Sequence, residues 1–160
     1  MPEFTTLAER YLSIWNTTDA DTRQSLVREL FTPDATYTDP LGSVRGWSGI
    51  DTFIATAQDQ FAGLSFRRSG AVDGHHDIAR FGWHLGPDGE LPIVMGFDVI
   101  VTADDRIRGV SGFLDKDPGL IDGPVSRCGE PCGARTTRPA RASRARRRRH
   151  ARRETRGSFR

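Results

Sequence analysis

Ile78-Ala79-Arg80-Phe81-Gly82-Trp83-His84-Leu85, then Gly86-Pro87-Asp88-Gly89, then Leu91-Pro92-Ile93-Val94-Met95-Gly96-Phe97-Asp98-Val99-Ile100-Val101-Thr102, sets the architecture. The first run alternates, with Ala79, Phe81, Trp83 and Leu85 on one side and Arg80 and His84 on the other. That is the period of a half-buried strand. Gly86–Gly89 is a strong turn signal. Leu91–Thr102 reads as a long apolar strand. Ala103-Asp104-Asp105 turns the chain again, and Ile107–Leu114 follows as a further strand. Upstream, Leu64–Val72 reads as the first member of the same meander.

The residues before this meander have a helical period. Phe4, Leu7, Ala8, Tyr11, Leu12 and Trp15 recur on one face of a helix. Thr17-Thr18-Asp19 interrupts it and supplies caps for a second helix, whose stripe is Leu26, Val27, Leu30 and Phe31, with Pro33 after its end. Ala35–Asp39 alternates as a short strand, and Pro40 and Gly42 turn the chain. Ser48 with Asp51 resembles a capping box. It opens a third helix with a face of Ile50, Phe53, Ile54, Ala57 and Phe61. Helices first and antiparallel strands last is an α+β arrangement, unlike the alternation of a parallel sheet. A strongly curved sheet with the helices on its concave side leaves a pocket at the open end.

Charge divides the 160 residues into two parts. Residues 1–117 carry 10 Lys+Arg against 18 Asp+Glu, a net of −8, and residues 118–160 carry 13 Arg against 3 acids, a net of +10. Residues 1–117 read as the folded domain. Residues 118–160 read as a disordered Arg-rich tail, with too little apolar surface to offset chain entropy. Two origins for that tail stand side by side. One is an electrostatic arm for nucleic acid or an anionic surface. The other is a frameshifted or run-on end in a GC-rich reading frame, which also yields Arg, Ala, Pro and Gly. Both cysteines, Cys128 and Cys132, lie in the tail, so no disulfide framework is expected for the domain. No apolar run reaches the roughly 18 residues of a membrane span. Met1–Arg10 lacks the pattern of a signal peptide. A cytoplasmic enzyme or binding domain is the expectation.

Asp98 is the polar residue that most needs an explanation. Its neighbours are apolar or Gly, and a bare carboxylate is costly to bury. Either it faces out with its strand neighbours, or it is internal, paired or protonated, with a raised pKa. The second reading is favoured, because Val94 and Ile100 share its face and buried titratable groups concentrate at sites. Asp39, before Pro40, is by itself adequately read as a turn-forming aspartate. Tyr11 is by itself a core tyrosine with its hydroxyl at the rim. His75-His76 is read as exposed, and no metal is expected. Trp15, Trp47 and Trp83 are read as core or pocket walls. Gly109-Val110-Ser111-Gly112 has neither the Lys nor the context of a phosphate loop.

Arg10-Tyr11-Leu12, Ala35-Thr36-Tyr37-Thr38-Asp39-Pro40-Leu41-Gly42-Ser43 and Phe97-Asp98-Val99, in that order, resemble the bacterial ketosteroid isomerases. More widely, residues 4–117 resemble the nuclear-transport-factor-2-like superfamily with its SnoaL-like polyketide cyclases. The resemblance implies a cone-shaped curved antiparallel sheet packed on three N-terminal helices, and a homodimer through the sheet. It implies Asp39 as general base, with Tyr11 and a protonated Asp98 as donors to an oxyanion. Phe53, Phe81, Trp83, Met95 and Phe113 are candidate walls for a flat hydrophobic carbonyl ligand. Strand alternation lets Met95 face inward with Asp98 only across a bulge, and the same holds for His84 with Trp83. Val72–Asp77 and Arg80–His84 look more like the broad SnoaL-like group and place His76 or His84 near the pocket. No cofactor is expected. The enzymatic alternatives are a SnoaL-like cyclase and an epoxide hydrolase built on Arg80 and Asp98. A non-catalytic small-molecule binding or dimerisation module is the alternative of another class.

Overall fold

The computed structural model describes residues 3–116. The expectations for the Arg-rich tail and for Cys128 and Cys132 lie outside the described residues. Helices α1 (Phe4–Asn16) and α2 (Ala20–Leu30) lead into strands β1 (Phe31–Asp39) and β2 (Gly42–Arg45). Helix α3 (Gly46–Gln60) follows, then β3 (Ser65–His75), β4 (Ile78–Gly86), β5 (Val94–Ala103) and β6 (Arg106–Lys116). The strands form one open six-stranded sheet in the order β2-β1-β6-β5-β4-β3. The α+β cone with three helices is the observed architecture.

The sheet is mixed where an antiparallel one was expected, because β1 pairs with β6 in parallel. These two strands are the ends of a long crossover through α3 and β3–β5, so no hairpin dictates their relative direction. β1 also starts earlier than the sequence pattern suggested. Phe31 is its first residue, and Pro33 lies in the strand, where the register with β6 shifts between Phe31 and Thr36. A bulge tolerates a residue that has no N–H to give. β5 starts later, at Val94, because Pro92 breaks the ladder and leaves Leu91 exposed.

The capping box at Ser48 does not form. α3 begins at Gly46, and Asp51 instead meets Arg23, whose Nε lies 2.7 Å from Asp51 Oδ1. Arg23 is buried, and a buried guanidinium needs a partner. It also donates to Gln58 Oε1 at 3.0 Å, and Gln58 Nε2 donates to the carbonyls of Trp15 and Thr17, each at 2.9 Å. The end of α1, the start of α2 and the body of α3 are tied at this point. Asp19 caps α2 as expected, accepting from Thr22 N.

The helical stripes cover one face of the sheet. Leu7, Tyr11, Leu12 and Trp15 of α1, Val27 and Leu30 of α2, and Ile50 and Ile54 of α3 meet Phe31, Phe81, Leu85, Ile100 and Val110. β5 alternates without a break from Val94 to Ala103, with every second residue buried. This pattern places Val94, Gly96, Asp98, Ile100 and Thr102 on the helix side. No helix among the described residues is long and apolar enough to cross a membrane.

Candidate active site

Asp98 sits at the centre of the covered face, and its side chain is closed off from solvent. Its two oxygens are engaged from different elements. Tyr11 Oη of α1 donates to Oδ2 at 2.6 Å, and Trp83 Nε1 of β4 donates to Oδ1 at 3.0 Å. The Trp83 ring lies over Gly96, its partner on β5, where a Cβ would collide with the indole and with the Phe113 carbonyl. Burial pushes the Asp98 carboxyl up to about 6. The bonds from Tyr11 and Trp83 pull it back, and the negative charge of Asp39 adds to the rise.

Asp39 stands at the end of β1, on the rim of the same cavity. Its Oδ1 accepts from the backbone N–H of Leu41 at 2.8 Å and of Gly42 at 3.0 Å, the Asx turn its place before Pro40 suggests. Its Oδ2 accepts from Tyr37 Oη at 2.9 Å. The turn therefore fixes the carboxylate while leaving it facing the cavity.

Tyr37 belongs to the alternating stretch Ala35–Asp39, which by itself gives it no part in the site. The signal was present: Tyr37 and Asp39 are two apart on one strand and so share a face. Burial raises the Tyr37 hydroxyl well above the usual tyrosine range, and the charges of Asp98 and Asp39 raise it further. Tyr11 is raised in the same way, by burial first and then by Asp98. Both hydroxyls are therefore protonated donors at neutral pH.

Gly112 of β6 is where Asp98 and Asp39 converge. A Cβ on it would stand 3.0 Å from Asp98 Oδ1, 3.1 Å from Asp39 Cβ and 3.5 Å from Tyr37 Oη. The walls beyond are aromatic. Trp15 packs on Phe66 at 5.2 Å and on Tyr37 at 5.5 Å, Tyr37 on Phe53 at 4.9 Å, and Phe66 on Trp83 at 5.3 Å. The cavity, partly open to solvent, is about 40 Å³. A neighbouring cleft of about 490 Å³ shares the walls Trp15, Ala57, Phe61, Phe66 and Leu85 with it.

Of the expected site residues, Tyr11, Asp39, Asp98, Phe53 and Trp83 meet at this cavity. Phe113 edges it beside Gly112, while its ring stacks on Phe97 at 4.9 Å and is half exposed. Met95 and His84 do not line it. Each is one residue off the inward register; the register shift beside Met95 adds its residue to β6, so β5 keeps its alternation and Met95 stays outward. Phe81 is core beneath Tyr11, at 5.6 Å. Arg80 is exposed and pairs with Asp73 at 3.3 Å, on the sheet face opposite Asp98. The Arg80–Asp98 pairing required for the epoxide-hydrolase alternative is thus not formed. His75 and His76 are exposed, with their Nδ1 atoms 3.2 Å apart. Among the described residues, no group of three or more His, Cys, Asp or Glu side chains is arranged to hold a metal.

The SnoaL-like domain family matches residues 8–110 of the chain. Among solved structures, a candidate isomerase of the SnoaL-like family from Agrobacterium tumefaciens is 35% identical, with a TM-score of 0.67 over 70% of this chain and 97% of that one. A candidate polyketide cyclase from Sinorhizobium meliloti is 18% identical, with a TM-score of 0.54 over 67% of this chain and 93% of that one. A protein with a ketosteroid isomerase-like fold from Catenulispora acidiphila, bound to trimethylamine, is 18% identical, with a TM-score of 0.56 over 66% and 82%. No curated protein matches the sequence.

Proposed function

The chain belongs to the SnoaL-like domain family, and from that premise we propose that it is a cofactor-free enzyme transferring a proton through the enolate of a hydrophobic carbonyl compound. The observation that carries this reading is the pairing of unlike carboxyls over Gly112. Asp39 is held by three donors, which suits a carboxylate; Asp98 is buried, and its carboxyl is pushed up to about 6. A hydrogen-bonded carboxylate at the rim beside a buried carboxyl that is pushed up suits base and acid roles.

The steps follow from those positions. Asp39 Oδ2 takes the proton from the carbon α to the carbonyl. The C–H electron pair becomes a C=C bond, and the carbonyl π pair moves to oxygen. Protonated Asp98 meets that oxygen in one of two ways. With its hydrogen on Oδ1 it donates on the Gly112 side. With its hydrogen on Oδ2 it reverses the bond to Tyr11, whose own hydrogen then turns to the ligand. Losing one such donor typically costs about 2.7–4 kcal/mol of barrier. Asp39 then returns the proton to a different carbon, which isomerises a double bond, or the enolate carbon attacks a second carbonyl, which closes a ring and leaves an alkoxide that takes the proton back from Asp39. The polyketide cyclase label of one similar structure and the isomerase label of another fit these two outcomes.

The cavity of about 40 Å³ is small beside the 300 Å³ or more typical of a drug-sized ligand. A small cyclic ketone, or a larger one reaching into the neighbouring cleft, fits this reading better than a steroid enclosed whole. The Phe97–Phe113 stack on the outer face supports a homodimer through the sheet.

The test is deuterium exchange. Cyclohex-3-en-1-one and a β,γ-unsaturated 3-ketosteroid are incubated in D2O, and label at the α carbon is read by mass spectrometry. The expected result is enzyme-dependent uptake that falls by about 10²- to 10⁴-fold in Asp39→Asn. Absence of uptake from a set of cyclic ketones by the folded protein overturns the enolate reading and leaves a binding module.

A further inference from the structure

Three tryptophans occur in the chain, and two have hydrogen-bond acceptors. Trp47 Nε1 donates to the Phe31 carbonyl at 3.0 Å, and Trp83 Nε1 donates to Asp98. Trp15 Nε1 is buried and is the one such side-chain nitrogen or oxygen among the described residues without a partner. Leaving a buried donor unpaired costs about 1–3 kcal/mol, so an orphan of this kind in a folded domain needs a reason.

The surroundings give one. Trp15 is a wall of the cavity, four residues after Tyr11 on the same face of α1. Its N–H lies near enough to the Tyr11 hydroxyl to favour that group's ionised form, yet no acceptor stands in hydrogen-bond geometry to it. The N–H therefore lies on the Tyr11 side of the ring, toward the polar end of the cavity that Trp15 lines, and the ring also borders the neighbouring cleft. The indole is not free to turn elsewhere. It is packed on Tyr37, Phe53 and Phe66. Its own carbonyl is held by Gln58, and Asn16 beside it makes a reciprocal pair with the backbone of Phe66, at 2.8 Å each way.

We propose that the Trp15 indole N–H is a binding donor of this site, meeting the same ligand oxygen that Tyr11 faces. The inference rests on the carbonyl-ligand reading above and deepens it: the ligand is a flat apolar molecule whose ketone, enolate or phenol oxygen accepts from Trp15. Among the described residues no protein group accepts from this donor. In the complex it is paired, so the hydrogen bond favours ligands that carry an oxygen over their hydrocarbon counterparts.

4-Methylphenol and toluene form the test pair, nearly equal in shape and differing in one oxygen. The variants are Trp15→Phe and Trp15 replaced by 3-benzothienylalanine, which keeps the ring shape and removes the N–H. In the unaltered protein, the Trp15 Nε1–H proton resonance moves downfield with 4-methylphenol and not with toluene. In both variants the preference for 4-methylphenol over toluene falls by about 3- to 10-fold, while the ligand-free melting temperature of the benzothienyl variant stays level or rises. Equal loss of both ligands, or an unchanged preference in the benzothienyl variant, overturns the role of Trp15 and leaves the carbonyl site standing. Failure of the unaltered protein to bind 4-methylphenol at all overturns the underlying reading of the site as well.

Discussion

Tyr11 and Asp98, 87 positions apart in the chain, meet in a buried hydrogen bond of 2.6 Å between the first helix and the centre of the sheet. The bond joins fold to chemistry. It satisfies one oxygen of a carboxyl that the apolar stripe of β5 would otherwise leave bare, and it fixes α1 over the cavity. It favours the charged form of Asp98, but burial outweighs it and pushes the carboxyl up to about 6.

That balance makes stability pH-dependent in a definite direction. The Asp98 carboxyl rises from 3.8, its ordinary value, to about 6 on folding. Between these values the folded state holds a proton that the unfolded state has lost. Raising the pH through this window therefore lowers stability, by about 3 kcal/mol for a shift of this size, and above about pH 6 the loss is complete. Asp98→Asn removes the titration. Urea unfolding of both proteins from pH 4 to pH 7 should show the wild type losing stability relative to the variant. A constant difference across that range would mean Asp98 is not held up by burial. If protonated Asp98 is the donor, kcat/KM also falls above about pH 6, and the Asn variant lacks that limb.

Tyr11→Phe isolates the hydrogen bond from the packing. The ring keeps its neighbours Phe31 at 6.2 Å and Phe81 at 5.6 Å, and only the hydroxyl goes. Asp98 is left with the Trp83 N–H alone, so its carboxyl climbs further. The stability loss should be about 1–3 kcal/mol. It should be larger at pH 8 than at pH 4.5, since the lost bond favours the charged form. Equal losses at the two pH values would contradict an ionised acceptor.

Asp51→Ala tests the tie among the helices. Arg23 and Asp51 have side chains only 6% and 14% exposed, so removing the carboxylate strands a buried guanidinium. The expected loss is about 3–5 kcal/mol. A double change, Arg23→Met with Asp51→Leu, should recover most of it, because an apolar pair of similar volume is tolerated there. Chemical denaturation measures both. A single variant as stable as the wild type would show that Gln58 and the Thr18 carbonyl, which accepts from Arg23 Nη1 at 3.5 Å, suffice for Arg23.

The helices and the meander were legible because their apolar periods are long. The inward orientation of Asp98 was legible because Val94 and Ile100 share its face. What escaped depends on contacts between distant segments. The parallel β1–β6 pair leaves no mark in either strand alone. Asp51 looked like a cap for its own helix because its partner Arg23 is 28 positions away. Met95 and His84 were drawn toward the pocket by apolar or titratable character, against an alternation that already pointed them outward. Tyr37 shared a face with Asp39 from the start, but only the fold brings its hydroxyl to that carboxylate. Gly112 carries no side chain, and its importance lies in the space that it leaves.

That space supports a final expectation. Asp98 and Gly112 face each other across β5 and β6, and Asp39 closes over the same point from β1. A Cβ at 112 would press on both carboxyl residues at 3.0 and 3.1 Å. Neither can retreat easily, since Asp98 is held by Tyr11 and Trp83, and Asp39 by Tyr37 and two backbone N–H groups. Gly112→Ala therefore shifts the carboxyls by a few tenths of an ångström with little loss of buried surface. Proton transfer is sensitive to such shifts, and kcat/KM, measured well below a melting temperature that the crowding lowers, should fall by about 10- to 100-fold. Gly109→Ala is the control on the same strand. Its Cβ would meet only Thr36 Oγ1 at 3.4 Å, away from the cavity, and it should leave kcat/KM unchanged. Equal activity of the two variants would mean that the spacing of Asp39 and Asp98 over Gly112 does not govern the reaction.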